Sequence, residues 1–145
     1  MPKPIQKPMT ILAFDYGTRR VGVAVGNTEP KVSQALKTIA AASTEILFQE
    51  LEKLIKEWQP DQVVVGLPTH PDGSEHEMTA KAKRFGNQVH GRFNLPVSWV
   101  DERYTSVVLE GDPQMHDNLD AHSAALILEQ YFIEHQSVLG LKNER

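Results

Sequence analysis

The sequence predicts one α/β domain, in which helices flank a five-stranded mixed sheet. Three closely spaced apolar runs near the start of the chain indicate antiparallel strands. Two later strand patterns each follow a segment of helical period, and such strand–helix–strand units imply parallel pairing with right-handed crossovers. At 145 residues the chain suits one domain. We expect the domain at residues 9–137, between an N-terminal tail at 1–8 and a C-terminal tail at 138–145.

The first three elements form a predicted meander. Residues 9–15 are nearly all apolar, as a buried strand requires. Residues 16–19 have the composition of a turn, and a second strand follows at 20–26. A third strand is predicted at 33–39.

The remaining elements alternate between helix and strand. Apolar residues recur at helical spacing over 47–58, and a proline at position 60 ends that helix. The β-branched run at 62–67 predicts a buried strand. Residues 74–77 (SEHE) match a capping box and predict the start of a second helix, whose apolar stripe reaches residue 93. The last elements are a strand at 96–100 and an alanine-rich helix with an inner face at 121–132.

Composition limits the function classes. The chain has no cysteine, which excludes thiol catalysis and cysteine-ligated zinc and favours a reducing compartment. No apolar run approaches the roughly 20 residues of a membrane span, so we expect a cytoplasmic protein. The net charge of −4 disfavours a non-specific nucleic-acid binder, but residues 1–40 and 81–110 carry a basic excess. A local basic surface is therefore compatible with the acidic total.

Acidic residues occur at the ends of predicted elements. Asp15 ends the first strand, Asp101 and Glu102 end the fifth, and Asp120 precedes the last helix. Sites in α/β sheets form at the carboxyl ends of strands, where converging carboxylates would repel one another. A divalent cation removes this repulsion, and hard oxygen ligands suit Mg²⁺ or Mn²⁺. Two such ions would activate a water and stabilise the leaving oxygen of a phosphodiester.

Structural roles for these acids stay open. Asp120 could be only a helix N-cap, and Asp101 and Glu102 could pair with the adjacent Arg103. Asp15 is harder to explain in this way, because a charge that follows a buried apolar strand needs a partner.

Basic residues near these acids predict a nucleic-acid surface. The candidate contacts are Arg19, Arg20, Lys81, Arg84, Arg92 and Arg103. The first two lie in the turn after Asp15, and the three on the second helix fall within an arc of about 80°. Such a track would bind a phosphate backbone without reading its sequence, although an ordinary solvated helix face has the same pattern.

Four motifs resemble those of the YqgF (RuvX) family. Residues 14–26 (FDYGTRRVGVAVG) are similar to its opening motif, and 65–68 (VGLP) with 72–74 (DGS) are similar to its central motif. Residues 101–106 (DERYTS) resemble its Asp-Glu-Arg motif, and residues 120–132 resemble its last helix. The matches occur in family order over about residues 10–133. The resemblance implies an RNase H-like fold and a metal-dependent nuclease that matures the 5′ end of pre-16S ribosomal RNA or resolves Holliday junctions.

The resemblance also implies roles for the acids. Asp15 would bridge the metal ions, Asp101 or Glu102 would be the second acid, and Asp120 the third. Because side chains alternate along a strand, only one of Asp101 and Glu102 should face the ions. Residues 107–119 depart from the family, since they are short and contain no Lys or Arg.

Other function classes make distinct predictions. Residues 15–18 also resemble the first phosphate loop of sugar kinases and actin-like ATPases, but those proteins need two lobes. A non-catalytic module that binds ribosomal precursor or the transcription machinery is a third class. The sequence does not separate RNA from DNA substrates, or a monomer from the homodimer that symmetric junction cleavage requires.

Overall fold

The computed structural model describes residues 8–70, 72, 74, 76–102 and 119–144. Its elements are β1 (Thr10–Tyr16), β2 (Arg20–Thr28), β3 (Lys31–Ala40), α1 (Thr44–Trp58), β4 (Gln62–Leu67), α2 (Glu77–Phe93), β5 (Val97–Asp101) and α3 (Leu119–Glu144). The strand order in the sheet is β3-β2-β1-β4-β5. The first three strands are antiparallel, whereas β1, β4 and β5 run parallel. The predicted mixed sheet is confirmed.

The sheet separates two apolar cores. One core contains Phe14, Leu51 and Phe85 and includes buried residues of α1 and α2. The other core contains Ile11 and Ala13 together with buried residues of α3. Because alternate side chains of a strand point to opposite faces, the residue two positions after Ala13 points toward the α3 face. That residue is Asp15.

The C-terminal end of α1 follows the prediction, whereas the helix begins at Thr44, three residues before the predicted apolar stripe. The Ser43 side chain accepts a hydrogen bond from the Ile46 N–H, and Gln59 in the left-handed conformation closes the helix just before Pro60. A buried apolar stripe, which includes Leu47 and Leu51, packs on the sheet.

The predicted capping box at residues 74–77 is wrong. The Ser74 hydroxyl donates to Asp72 within the preceding loop. The N-cap of α2 is His76, whose Nδ1 accepts from the Met78 N–H at 3.0 Å, while Thr79 Oγ1 accepts from the His76 N–H. An imidazole nitrogen thus takes the capping role predicted for a serine hydroxyl, and α2 begins at Glu77.

Several boundaries differ from the prediction or lie outside the described residues. The third strand is longer than predicted, and α3 continues to Glu144, through the domain boundary predicted at residue 137. Residues 1–7 of the N-terminal tail predicted at 1–8, Arg103, and residues 107–118 of the acidic segment lie outside the described residues. Among the helices of the described chain, none has the length and apolar character needed to cross a bilayer.

Candidate active site

Asp15 lies between two glycines of neighbouring strands. Gly22 on β2 pairs directly with Asp15, and Gly66 on β4 is next to it in the continued β1–β4 register. A Cβ atom at Gly22 would overlap the backbone of Asp120, and a Cβ at Gly66 would lie 2.7 Å from Oε2 of Glu102. The two glycines therefore let the start of α3 and the end of β5 approach Asp15 on the same face.

Asp15 and Glu102 form a carboxyl pair. Their side chains are hydrogen-bonded to each other. Burial, and next the charge of Asp120, raise the pKa of Asp15 from 3.8 to about 7. Burial, and next the charge of Asp15, raise the pKa of Glu102 from 4.5 to about 8. Two carboxyl groups this close retain a proton at neutral pH, because both cannot ionise without repulsion.

Ser123 supports the same pair. It lies one helical turn after Asp120, and its side chain hydrogen-bonds to Asp15, which lowers the pKa of that carboxyl against the larger effect of burial. Sequence reasoning did not single out Ser123. Its signal was the spacing of three residues from Asp120, which places the two side chains on one face of the helix.

Asp120 is held by an ion pair. Arg20 Nε donates to Asp120 Oδ2 at 2.7 Å, across 100 residues of sequence. Asp120 lies inside the first turn of α3, whereas the sequence had also allowed it to be the N-cap. A negative charge in the first turn interacts favourably with the helix dipole. Arg20 was predicted to bind a nucleic-acid backbone, and the structure places its guanidinium on an acid of the site.

The strand phase separates Asp101 from Glu102. Val100 belongs to the core under α3, whereas Trp99 packs against the core under α1 and α2. Asp101 is in phase with Trp99 and accepts a hydrogen bond from Thr69 Oγ1 at 3.0 Å. Glu102 is in phase with Val100 and reaches Asp15. Thr69, which sequence reasoning also missed, therefore hydrogen-bonds to Asp101, the acid on the face away from the Asp15–Glu102 pair.

The basic candidates divide by position. Arg19 is exposed in the turn after β1, and Lys81 and Arg84 are exposed on α2. The start of α2 follows the carboxyl end of β4, the sheet edge that holds Asp15 and Glu102. Arg92 lies 15 residues farther along α2 than its first residue, about 22 Å of helix rise, and its guanidinium stacks on Phe48 at 4.3 Å. The three predicted basic residues of α2 therefore extend from the carboxyl ends of the parallel strands toward the opposite ends of these strands.

The donor set fits a hard divalent cation. Three carboxylates from β1, the end of β5 and α3 act on one another electrostatically, and oxygen ligands of this kind suit Mg²⁺ or Mn²⁺. Among the described residues, no three acidic or histidine side chains already form a cation cage. Asp15 and Glu102 instead hydrogen-bond to each other, and Asp120 pairs with Arg20. A bound cation would replace the shared proton as the positive charge of the site.

Comparison with known proteins decides the family. Residues 9–134 match the model of the RuvX family, which is described as Holliday junction resolvase. The chain belongs to the RuvX family. Family membership confirms the resemblance found in the sequence and the prediction of a nuclease, the class of enzyme to which a junction resolvase belongs.

Curated relatives cover nearly the whole RuvX-family chain. A protein of Polynucleobacter necessarius subsp. necessarius is 67% identical over 97% of this chain and 96% of its own length. A protein of Paraburkholderia phytofirmans is 53% identical over 90% of this chain and 92% of its own. Both carry pre-16S rRNA nuclease as a provisional name.

A solved structure confirms the fold. RuvC of Thermus thermophilus, in complex with a Holliday junction substrate, superimposes with a TM-score of 0.55. The match covers 87% of this chain and 95% of RuvC at 12% sequence identity, so it speaks to the fold alone. RuvC has an RNase H-like fold, and the predicted fold class is confirmed.

Proposed function

We propose that this RuvX-family chain is a nuclease that depends on divalent metal and matures the 5′ end of pre-16S ribosomal RNA. The observation that carries the proposal is the Asp15–Glu102 carboxyl pair, with Asp120 beside it, at the carboxyl edge of the parallel strands. The names and high identity of the curated relatives support the RNA substrate. The absence of cysteine suits work in the reducing cytoplasm.

The acids would hold Mg²⁺ or Mn²⁺ at this edge. Asp15 and Glu102 supply two partly buried carboxyl groups, and Asp120 supplies a third from α3. When bound, such ions activate a water and stabilise the leaving oxygen of a phosphodiester. Asp15 and Glu102 must release their shared proton to act as ligands, and Ser123 then keeps a hydrogen bond to the Asp15 carboxylate.

Basic residues would bind the RNA backbone around the acids. We assign this role to Arg19, in the turn after β1, and to Lys81 and Arg84 on α2. The acidic edge carries negative charge, so phosphates need cationic partners beside it as well as the ions within it. Arg92 lies too far along α2 to contact the same phosphates and stacks on Phe48 instead.

Matched variants test the catalytic assignment. The substrate is a synthetic RNA that spans the 5′ precursor and the first nucleotides of 16S rRNA, assayed with Mg²⁺ and with Mn²⁺. We expect Asp15→Asn and Glu102→Gln to lose detectable cleavage, because each removes a carboxylate of the proposed metal-binding pair. Asp101→Asn is the control, since this side chain bonds to Thr69 on the other face. Wild-type cleavage by Asp15→Asn would refute the proposal, and inactivity of Asp101→Asn alone would exchange the roles of the two acids.

Holliday junction resolution is the second candidate. The description of the family model favours it. A four-way DNA junction assayed beside the RNA decides between them, and cleavage of the junction without cleavage of RNA would replace the first proposal. Symmetric cleavage requires a two-fold homodimer, so sedimentation of the active protein provides an independent test. Binding of either substrate without hydrolysis under all metals would indicate a non-catalytic module.

A further inference from the structure

The Arg20–Asp120 ion pair joins the start of β2 to the start of α3. Arg20 begins β2, and its backbone is anchored on both sides: Gly17 N–H donates to the Arg20 carbonyl at 2.9 Å, and Arg20 pairs with Ala40 of β3. Its guanidinium then reaches Asp120 on α3 at 2.7 Å. A hydrogen-bonded backbone therefore presents the Arg20 guanidinium to a carboxylate of the proposed catalytic set.

The pair has a better explanation in orientation than in stability. The Arg20 side chain is 64% exposed and that of Asp120 is 28% exposed. Exposed ion pairs of this kind contribute little to folding stability. Asp120 also faces the negative charge of Asp15, which would turn an untethered carboxylate toward solvent. An attractive partner bonded to Asp120 opposes that rotation.

We propose that Arg20 is a positioning residue, which binds one oxygen of Asp120 and keeps this carboxylate beside Asp15 and Glu102 as the third ligand of a divalent cation. The inference rests on the proposed function. It reassigns Arg20 from contact with the nucleic-acid backbone to orientation of the acid. Arg19, its exposed neighbour, keeps the role of a backbone contact. Replacement of Arg20 should then change the affinity for metal, and replacement of Arg19 should change the affinity for RNA.

The test is calorimetric titration of the full chain with MnCl₂ in the absence of nucleic acid. Partners that orient metal ligands typically change metal affinity 10–100-fold when they are removed, and an exposed pair belongs at the lower end. We therefore expect Arg20→Met to weaken Mn²⁺ binding about 10-fold. Arg20→Gln removes the same charge but keeps an N–H donor for Asp120, so it should retain more of the affinity. Arg19→Met is the matched control and should bind Mn²⁺ like the wild type.

The outcomes separate this inference from the proposed function. Equal or tighter Mn²⁺ binding by Arg20→Met would overturn it, because Arg20 would then only repel the cation. Equal weakening by Arg20→Met and Arg20→Gln would also overturn it, since the hydrogen bond would be irrelevant. Thermal unfolding midpoints near the wild-type value exclude misfolding as the cause. RNA cleavage by the wild type tests the proposed function separately, and a wild type that binds Mn²⁺ without cleaving would refute that function while the affinity ratios still test Arg20.

Discussion

Replacement of Asp15 with Asn isolates the charge of a partly buried carboxyl group at the proposed catalytic edge of the sheet. Burial raises the pKa of Asp15 from 3.8 to about 7. Between these values the unfolded chain has lost the proton while the folded chain keeps it, so folding binds a proton and stability falls as pH rises. Glu102 acts with the same sign between 4.5 and about 8. The stabilising contribution of the protonated pair is complete below about pH 4 and lost above about pH 8.

The size of this pH-dependent loss of stability follows from the pKa of Asp15. Each pKa unit corresponds to about 1.4 kcal/mol, and the folded and unfolded values of Asp15 predict a loss of about 2–3 kcal/mol between pH 5 and pH 8.5. Asparagine cannot ionise, and it also removes the charge of Asp15, which adds to the larger effect of burial on the pKa of Glu102. We therefore expect the free energy of unfolding of Asp15→Asn, relative to wild type, to rise by at least about 2–3 kcal/mol over this pH interval.

Urea unfolding with a chelator present measures this difference. Wild type and Asp15→Asn are compared at pH 5, 7 and 8.5, so that the titration of the six histidines largely cancels. In a separate series without chelator, free Mn²⁺ at 100 times the wild-type dissociation constant should stabilise the wild type by about 2.7 kcal/mol and Asp15→Asn by less. A difference between the two proteins that stays constant from pH 5 to pH 8.5 would refute the account of a buried, protonated carboxyl pair.

Three further variants test the surroundings of the pair. Gly22→Ala should lower the free energy of unfolding by about 2–3 kcal/mol in urea, because a Cβ would overlap the backbone of Asp120; wild-type stability would contradict the close approach. Ser123→Ala should slow Mn²⁺-dependent RNA cleavage several-fold with an unchanged unfolding midpoint, and unchanged kinetics would show that its hydrogen bond to Asp15 has no catalytic role. The double change Lys81→Gln and Arg84→Gln should reduce the slope of log affinity for RNA against log salt by roughly 1.5, and a wild-type slope would place the RNA elsewhere.

Element order could be predicted because each segment carries its own signal. The apolar run of β1 and the apolar stripe of α1 each consist of buried residues close together in the sequence, so each pattern can be seen within its own segment. The start of α2 could not be predicted in the same way. His76 caps this helix through an imidazole nitrogen, whereas capping patterns in sequences rest on Ser, Thr, Asp and Asn. Ser74 matched such a pattern, but its hydroxyl bonds within the loop to Asp72.

The candidate site was predictable as a set of acids but not as a geometry. The choice between Asp101 and Glu102 depends on the phase of β5, which is set by the packing of Trp99 under one layer and Val100 under the other. That phase is a property of the assembled sheet. The partner of Asp120 depends on contact between residues 100 positions apart, so no local pattern could reveal that Arg20 pairs with an acid.

The two glycines beside Asp15 explain how so small a domain builds a three-acid edge. Side chains at Gly22 and Gly66 would separate Asp120 and Glu102 from Asp15, so the site exists because the neighbouring strands lack them. The same approach removes water from the carboxyl groups and raises their pKa values, which makes the metal-free site hold a proton. A cation must displace that proton, and its affinity should therefore rise with pH until the pair is ionised. Burial thus assembles the ligands and at the same time strengthens the proton's competition with the cation for them.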